Sequence, residues 1–206
     1  MMDARGAAAH RAELLDGLRG SVLEIGCGPG SMFRHYPASV VMVLAVEPDD
    51  YLRGLAQQAA VSAPVPVTVV GGCADALPAA DGLFDAAVCS LVLCSVPDLL
   101  TALTEIRRVL RPGGEVRFYE HVRSTSLMVG WLQDAVTPLW KLLAGGCHPN
   151  RDTVAALRDT GFGVTPVRRF GFSPGPGAPR MAHVLGVARL AATRSDDQSP
   201  PPEPSR

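Results

Sequence analysis

Val22-Leu23-Glu24-Ile25-Gly26-Cys27-Gly28-Pro29-Gly30 is the stretch that decides the fold. An apolar run holding one acid, Glu24, leads into three glycines at alternate positions. A strand that enters a tight glycine turn and continues into a helix builds a nucleotide-type site. Glycine leaves the backbone bare enough for a ligand to touch it, and the free N–H groups of the following helix start favour an anion. The dinucleotide fingerprint is G-x-G-x-x-G. Here that pattern puts Ser31 where its third glycine belongs, and the glycines instead read G-x-G-x-G through Gly30. Taken alone, the turn is compatible with a pyrophosphate, with a carboxylate, or with no ligand.

Outward from this turn, strands alternate with helices. Residues 3–19 read as a short helix with Leu14, Leu15 and Leu18 on one side. A Val-rich strand spans 39–46 and ends at Glu47-Pro48, a helix follows over 49–60, and a third strand is expected at 66–70. Phe84 to Ser90 is a fourth strand, and 97–110 is a helix with Pro97 at its start and Leu99, Leu103, Ile106 and Leu110 at helical spacing. Arg111-Pro112-Gly113-Gly114 is a turn, and Glu115 to His121 a fifth strand. Such alternation implies right-handed βαβ units and a parallel sheet, and the near-continuous apolar strands fit a sheet buried on both faces. After residue 150 the pattern changes: a helix at 152–159, a strand near 164–170, a Gly/Pro-rich loop from Gly171 to Pro179, and a last strand from Met181 to Ala188. Two strands without a helix between them pair antiparallel or lie apart, so the sheet is expected to end in an antiparallel hairpin. Residues 1–190 form one domain, and the Ser-, Pro- and acid-rich tail of 193–206 is expected to be disordered.

Composition narrows the class. The chain has 206 residues, 47% hydrophobic and 19% charged, which places it among globular single domains. A net charge of -1 gives no electrostatic reason to expect nucleic acid. Cys27, Cys73, Cys89, Cys94 and Cys147 are odd in number and include no CxxC pair, so neither a disulfide framework nor a metal site is expected. Reduced thiols and the lack of a signal-peptide pattern or of roughly 18 uninterrupted apolar residues point to a cytoplasmic protein without an integral membrane segment.

Glu47 stands about 20 residues beyond the start of the glycine turn, where a carboxylate accepts hydrogen bonds from both ribose hydroxyls and repels a 2′-phosphate. Asp75, in Gly72-Cys73-Ala74-Asp75-Ala76-Leu77-Pro78, lies in a loop at the sheet's carboxyl edge and can accept from an exocyclic amine. With Phe84-Asp85 and Leu110-Arg111-Pro112-Gly113-Gly114, these elements in this order resemble the class I S-adenosylmethionine-dependent methyltransferases over about residues 20–122. The resemblance implies a Rossmann-like α/β fold with a seven-stranded, mostly parallel sheet and a terminal antiparallel hairpin. It also implies S-adenosyl-L-methionine as cofactor. Glu24 and the glycine loop (Gly26, Cys27, Gly28, Gly30) would face its methionine end, Glu47 its ribose, and Asp75 with Ala74 and Ala76 its adenine. Ser90, at the end of the fourth strand, completes that set.

Three further stretches extend the likeness: Ser90-Leu91-Val92-Leu93-Cys94-Ser95-Val96, Tyr119-Glu120-His121-Val122, and the set Trp131, Gln133, Pro138, Trp140, Leu142, Leu143, Gly146, Cys147 and Arg151. Together they resemble the methyltransferase-like thiol S-methyltransferases over roughly residues 21–160. That family methylates small aliphatic thiols and resides on endoplasmic-reticulum and lipid-droplet membranes. This sequence lacks the family's long apolar N-terminal anchor, so membrane residence is not carried over, and its loop reads Gly-Pro-Gly at 28–30. The expected acceptor is a small, rather apolar molecule, a thiol before a phenol, quinone or lipid amine. A non-catalytic cofactor-binding protein is the alternative of another class. His121, just past the fifth strand, is the expected proton acceptor. Leu91, Trp131, Trp140 and His148 are expected in the acceptor pocket, with 126–146 as its lid. Trp131 and Trp140, nine residues apart, would face opposite sides of a single helix, and Pro138 should break or kink such a helix.

Overall fold

A computed structural model describes residues 7–173 and 180–192. The expected tail at 193–206 and most of the loop at 171–179 lie outside them. Five parallel strands carry the fold: β1 (Gly20–Ile25), β2 (Val40–Val46), β3 (Val67–Val70), β4 (Phe84–Ser90) and β5 (Leu110–His121). Helix α1 (Ala7–Leu15) precedes them, α2 (Asp50–Ala60) joins β2 to β3, and α3 (Leu99–Val109) joins β4 to β5. Helices α4 (Leu127–Leu143) and α5 (Thr153–Asp159) lead to β6 (Phe162–Val164), β7 (Arg168–Phe172) and β8 (Met181–Leu190). The strand order is β3-β2-β1-β4-β5-β8-β6, with β7 also on β8.

The count is therefore eight strands rather than seven. The difference is one interruption. β6 pairs with residues 188–190 of β8 and β7 with residues 181–185, both antiparallel and along the same edge. Between them Thr165 still bonds the Val187 carbonyl from its N–H (3.1 Å) and its hydroxyl (2.8 Å). Pro166, which has no N–H to give, sits where three residues of one strand face two of the other. The antiparallel end of the sheet is thus a bulged strand on either side of this proline, paired with β8.

Side chains alternate across the sheet and fill a core on each face. Leu23, Ile25, Ala87, Cys89 and Phe118 pack on the side covered by α3 and α5. Val22, Val43, Ala86, Val88 and Tyr119 pack on the other, with Leu14 and Leu15 of α1 and Phe33. Arg117 projects from β5, pairs with Glu115 at 2.7 Å, and donates to the carbonyls of Leu14 and Asp16. A strand arginine thereby satisfies the open carbonyls at the end of α1. Side-chain caps start three helices: Asp49 accepts from Leu52 N–H (2.8 Å), Asp98 from Leu100 N–H (2.9 Å) and Asp152 from Ala155 N–H (3.0 Å). Pro97 therefore precedes the α3 cap instead of opening the helix. The turn at 111–114 is a loop within the ladder, since β4–β5 pairing jumps from Phe84–Leu110 to Ala86–Glu115.

The expected break at Pro138 does not occur: α4 runs unbroken through it. Its inner face is pinned at several points. The Gln133 amide donates to the carbonyls of Val122 (3.2 Å) and Pro149 (2.9 Å) and accepts from Ser124 N–H (2.7 Å). Asp134 bonds Arg123 (2.9 Å) and Asn150 (3.0 Å). These ties hold the turn of α4 that precedes the residue that cannot donate. The helix buries its polar Gln133 and Thr137 and turns Trp131, Leu132, Leu139 and Leu142 outward, at 62–82% exposure. No helix among the described residues is long and apolar enough to cross a membrane.

Candidate active site

β1 continues to β2 on one side and has β4 on the other, so the strand order reverses beside it. In open α/β sheets that reversal opens a crevice at the carboxyl ends of the strands. A cavity of about 500 Å³ lies there, lined by Gly26, Glu47, Ala74, Asp75 and Leu91 among others. Its volume is within the ~300–1,000 Å³ of small-molecule sites.

The three glycines do different work. A Cβ on Gly26 would lie 2.7 Å from Val92, and one on Gly30 would lie 2.6 Å from Phe33, so these two are dictated by packing. Gly28 meets nothing within 4 Å and has a φ of +55°. It is the glycine of the turn free of neighbours, although the cavity itself is lined by Gly26 and not by Gly28 or Gly30. Gly28 N–H donates to Glu47 Oε2 at 2.8 Å, while Glu47 Oε1 accepts from Asp49 N–H at 3.0 Å. Glu47, 5% exposed, thus braces the glycine turn and the start of α2, lines the cavity, and keeps further lone pairs on both oxygens. Asp75 sits exposed at the mouth of the cavity, in a turn closed by Ala76 N–H to the Cys73 carbonyl (3.2 Å). Ala76 is outside the cavity lining, as are Cys27, whose thiol lies against the Gly28 carbonyl, and Ser90. Apolar walls come from residues whose types carry no signal of their own, among them Pro48, Leu52, Val96 and Gly145. Leu91 holds a φ of +61°, the one non-glycine in the left-handed region among the described residues. It stands where β4 meets the cavity, the kind of strained position that marks functional sites.

Glu24 is away from the cavity surface. It is buried and accepts from the Tyr36 hydroxyl at 2.7 Å. Burial pushes its carboxyl up to about 8, against the pull of the Tyr36 bond and of Arg11. A carboxyl raised in the folded state keeps a proton that the unfolded chain has lost, so its contribution is full below the ordinary carboxyl range and disappears as pH rises through about 8. Wild-type melting temperature is expected to fall between pH 6 and pH 8.5, and Glu24→Gln to flatten that slope and to be the more stable protein at pH 8.5. Parallel thermal scans of the two proteins check this; equal slopes would mean that Glu24 is ionised in the fold.

Glu120, at the carboxyl end of β5, is fully buried. Its oxygens accept from the N–H groups of Val92 (3.0 Å), Leu93 (3.0 Å) and Cys94 (3.1 Å). Burial pushes its carboxyl up and these three donors pull it back. Next to it, His121 turns Nδ1 toward two thiols, 3.3 Å from Cys147 Sγ and 3.8 Å from Cys94 Sγ. Cys147 is held well below the ordinary thiol range, first by the Cys94 thiol and then by His121, whereas Cys94 is pushed up. His148 is tied to this cluster by its N–H on the Cys94 carbonyl (2.7 Å), and its Nδ1 is buried without a partner. Trp140 lines a second, apolar groove of about 410 Å³ between α4 and β8, and Trp131 is 69% exposed on the outer face of α4. Neither tryptophan lines the larger cavity. Two features escaped sequence reasoning. One is the thiol pair around His121. The other is buried His183, ring to ring with His121 at 4.4 Å and lowered to about 4 by burial. Single residues spread along the chain carry no spacing signal.

Comparison with known proteins gives the family and the fold. Residues 23–118 match the family model described as a methyltransferase domain. The human thiol S-methyltransferase TMT1B is 36% identical over 183 residues, 84% of this chain and 73% of its own length. A malonyl-[acyl-carrier protein] O-methyltransferase of Pseudescherichia vulneris is 33% identical over 84% of this chain and 67% of its own. The crystal structure of a Methanosarcina mazei SAM-dependent methyltransferase superposes with a TM-score of 0.66 at 21% identity, over 84% of this chain and 92% of that one. Fold, cavity and family model together define a class I S-adenosylmethionine-dependent methyltransferase. The residues fit that cofactor: a braced acid at the end of β2, a bare glycine in the turn, and a cleft of matching size with apolar walls. By its similarity over most of its length, the chain belongs to the family that includes the thiol S-methyltransferase TMT1B.

Proposed function

We propose that this enzyme transfers a methyl group to a small, rather apolar thiol, and that it does so in the cytoplasm. The observation that carries this reading is the reach of the similarity. The 183 residues shared with TMT1B extend well beyond the 23–118 of the methyltransferase domain, and so take in segments on the acceptor side. All five cysteines are free, in keeping with a reducing compartment.

S-adenosylmethionine supplies a methyl already activated on a sulfonium, so the protein's task is chiefly to position the acceptor. Glu47 would hold the ribose, Asp75 with Ala74 the adenine side, and the turn at Gly26 the methionine end, with Glu24 supporting that turn from the buried side. Leu91, where β4 meets the cavity, would border the methyl. A thiol, with a pKa of ~8.5, needs little help to lose its proton near neutrality. His121 is the proposed group to take it, and His148 and Trp140 with the 126–146 segment would cover the acceptor, while Trp131 faces outward.

The test is product mass spectrometry with S-adenosylmethionine and a panel of thiols, phenols, quinols, amines and carboxylates. Methylation of thiols alone is the expected result, and methylation of another class would replace the reading. His121→Ala is expected to cut turnover roughly a hundredfold, within the range of general acid–base contributions, with cofactor affinity unchanged in calorimetry. Equal turnover would remove His121 from the chemistry. On the same preparation, the cofactor is expected to shield 126–146 from limited proteolysis; cleavage at the same rate with and without it would end the lid role.

A further inference from the structure

Outside the cofactor cavity, the densest cluster of chemistry-bearing side chains is Cys94, His121 and Cys147, whose ligating atoms all lie within 4.8 Å of one another. The three arrive from separate elements: the loop after β4, the end of β5, and the turn after α4. Both cysteines are buried, at 1% and 5% exposure. The setting is rigid. Cys94 N–H is held by Glu120 (3.1 Å), its carbonyl by His148 N–H (2.7 Å), and Cys147 N–H by the Ala144 carbonyl (3.1 Å). His121 lies in the β5–β8 ladder opposite His183.

We propose that Cys94, His121 Nδ1 and Cys147 form a zinc site with three protein ligands and one open position. Zn–S bonds of about 2.3 Å and Zn–N bonds of about 2.0–2.1 Å at tetrahedral angles put sulfur and nitrogen about 3.5 Å apart and two sulfurs about 3.8 Å apart. The observed Sγ···Nδ1 separations of 3.3 and 3.8 Å bracket the first value, and the 4.8 Å limit on the trio accommodates the second. Two thiols and an imidazole are a soft-to-borderline donor set that suits zinc and not magnesium or calcium. Binding would release the thiol protons to solvent. Three protein ligands with a vacant fourth position characterise catalytic rather than structural zinc. Ser95 and Gly145, one and two residues from Cys94 and Cys147, line the cofactor cavity, toward which the proposed open position turns. It would receive the sulfur of a thiol acceptor as thiolate, the acceptor's proton leaving to solvent and His121 serving as ligand in place of base; this last part rests on the thiol reading above.

The full chain, reduced with a phosphine, stripped by chelator and desalted, is titrated with Zn²⁺ in competition with a chromophoric chelator. One equivalent per chain is expected, with affinity falling at least tenfold in Cys94→Ser and in Cys147→Ser and unchanged in Cys73→Ser, an exposed thiol outside the trio. Cofactor calorimetry on the same variants reports whether they fold. Independently of any variant, Co²⁺ in the wild-type protein is expected to give thiolate-to-metal charge-transfer absorption. Zinc binding no tighter than in the Cys94→Ser/Cys147→Ser double variant, or a cobalt spectrum without thiolate bands, would overturn the site. Adding 2-mercaptoethanol is expected to shift the cobalt ligand-field bands, and unshifted bands would overturn the fourth-ligand assignment. Turnover of the thiol panel is read separately, so failure of the metal site and failure of the thiol reading are told apart.

Discussion

Glu47→Ala is expected to weaken S-adenosylmethionine binding by roughly a hundredfold to ten-thousandfold while leaving the protein folded. The carboxylate has two tasks. It braces Gly28 N–H and Asp49 N–H at 2.8 and 3.0 Å, and its free lone pairs are the proposed acceptors for two ribose hydroxyls. Hydrogen bonds to a charged group contribute about 1.5–3 kcal/mol each, so losing two removes about 3–6 kcal/mol, at 1.4 kcal/mol per tenfold. The folded state loses less, because Gly28 and Asp49 lie beside an open cleft where water replaces the lost acceptor. Calorimetric titration measures the affinity and thermal melting the fold. A dissociation constant within threefold of wild type would take the ribose away from Glu47. Glu47→Gln, which keeps one acceptor oxygen, should fall between the two.

The second large effect falls on stability. Glu120→Ala is expected to cost about 3–5 kcal/mol, since a buried group that holds several partners cannot be removed without leaving them unpaired. Here the partners are the N–H groups of Val92, Leu93 and Cys94, in a segment with Leu93 and Cys94 at 0–1% exposure. At roughly 2–4 °C per kcal/mol for a domain of this size, the melting temperature should drop by about 6–20 °C. Glu120→Gln retains one acceptor and should lose less. Thermal denaturation decides it, and a drop under 2 °C would show that the 92–94 loop is held by other contacts. The loop also carries Leu91 and Val92 into the cofactor cavity, so cofactor affinity should fall with stability.

The parallel core was legible because each of its signals is local. Apolar runs at 22–25, 40–46 and 84–90 read as strands, and acids at 49, 98 and 152 cap the helices near where periodicity places them. Glu47 and Asp75 were legible for the same reason: each stands at a countable distance from the glycine turn. Their placement in one cavity follows from parallel strands that deliver all their carboxyl ends to one edge. The glycine turn was legible as a turn at the carboxyl edge of β1, yet its three glycines look alike on paper. Only the neighbours Val92 and Phe33 show that Gly26 and Gly30 serve packing and that Gly28 alone is bare.

Other features depended on partners far away in sequence. Pro138 predicts a broken or kinked helix by its own chemistry, but α4 is continuous through it, with Gln133 and Asp134 tied to Val122, Arg123, Pro149 and Asn150. The paired strand near 164–170 splits because Pro166 cannot bond to β8, which no reading of β6 and β7 alone foretells. Spacing rules look for metal ligands two to four residues apart, and Cys94, His121 and Cys147 are 26–27 residues apart. By itself the sequence determined the parallel sheet, its carboxyl edge and the acids that follow β2 and β3, because hydrophobic period, caps and turns act over a few residues. The tertiary structure alone decided which glycine is open, which carboxyls are buried, and that two thiols meet one imidazole, because those depend on which elements pack together.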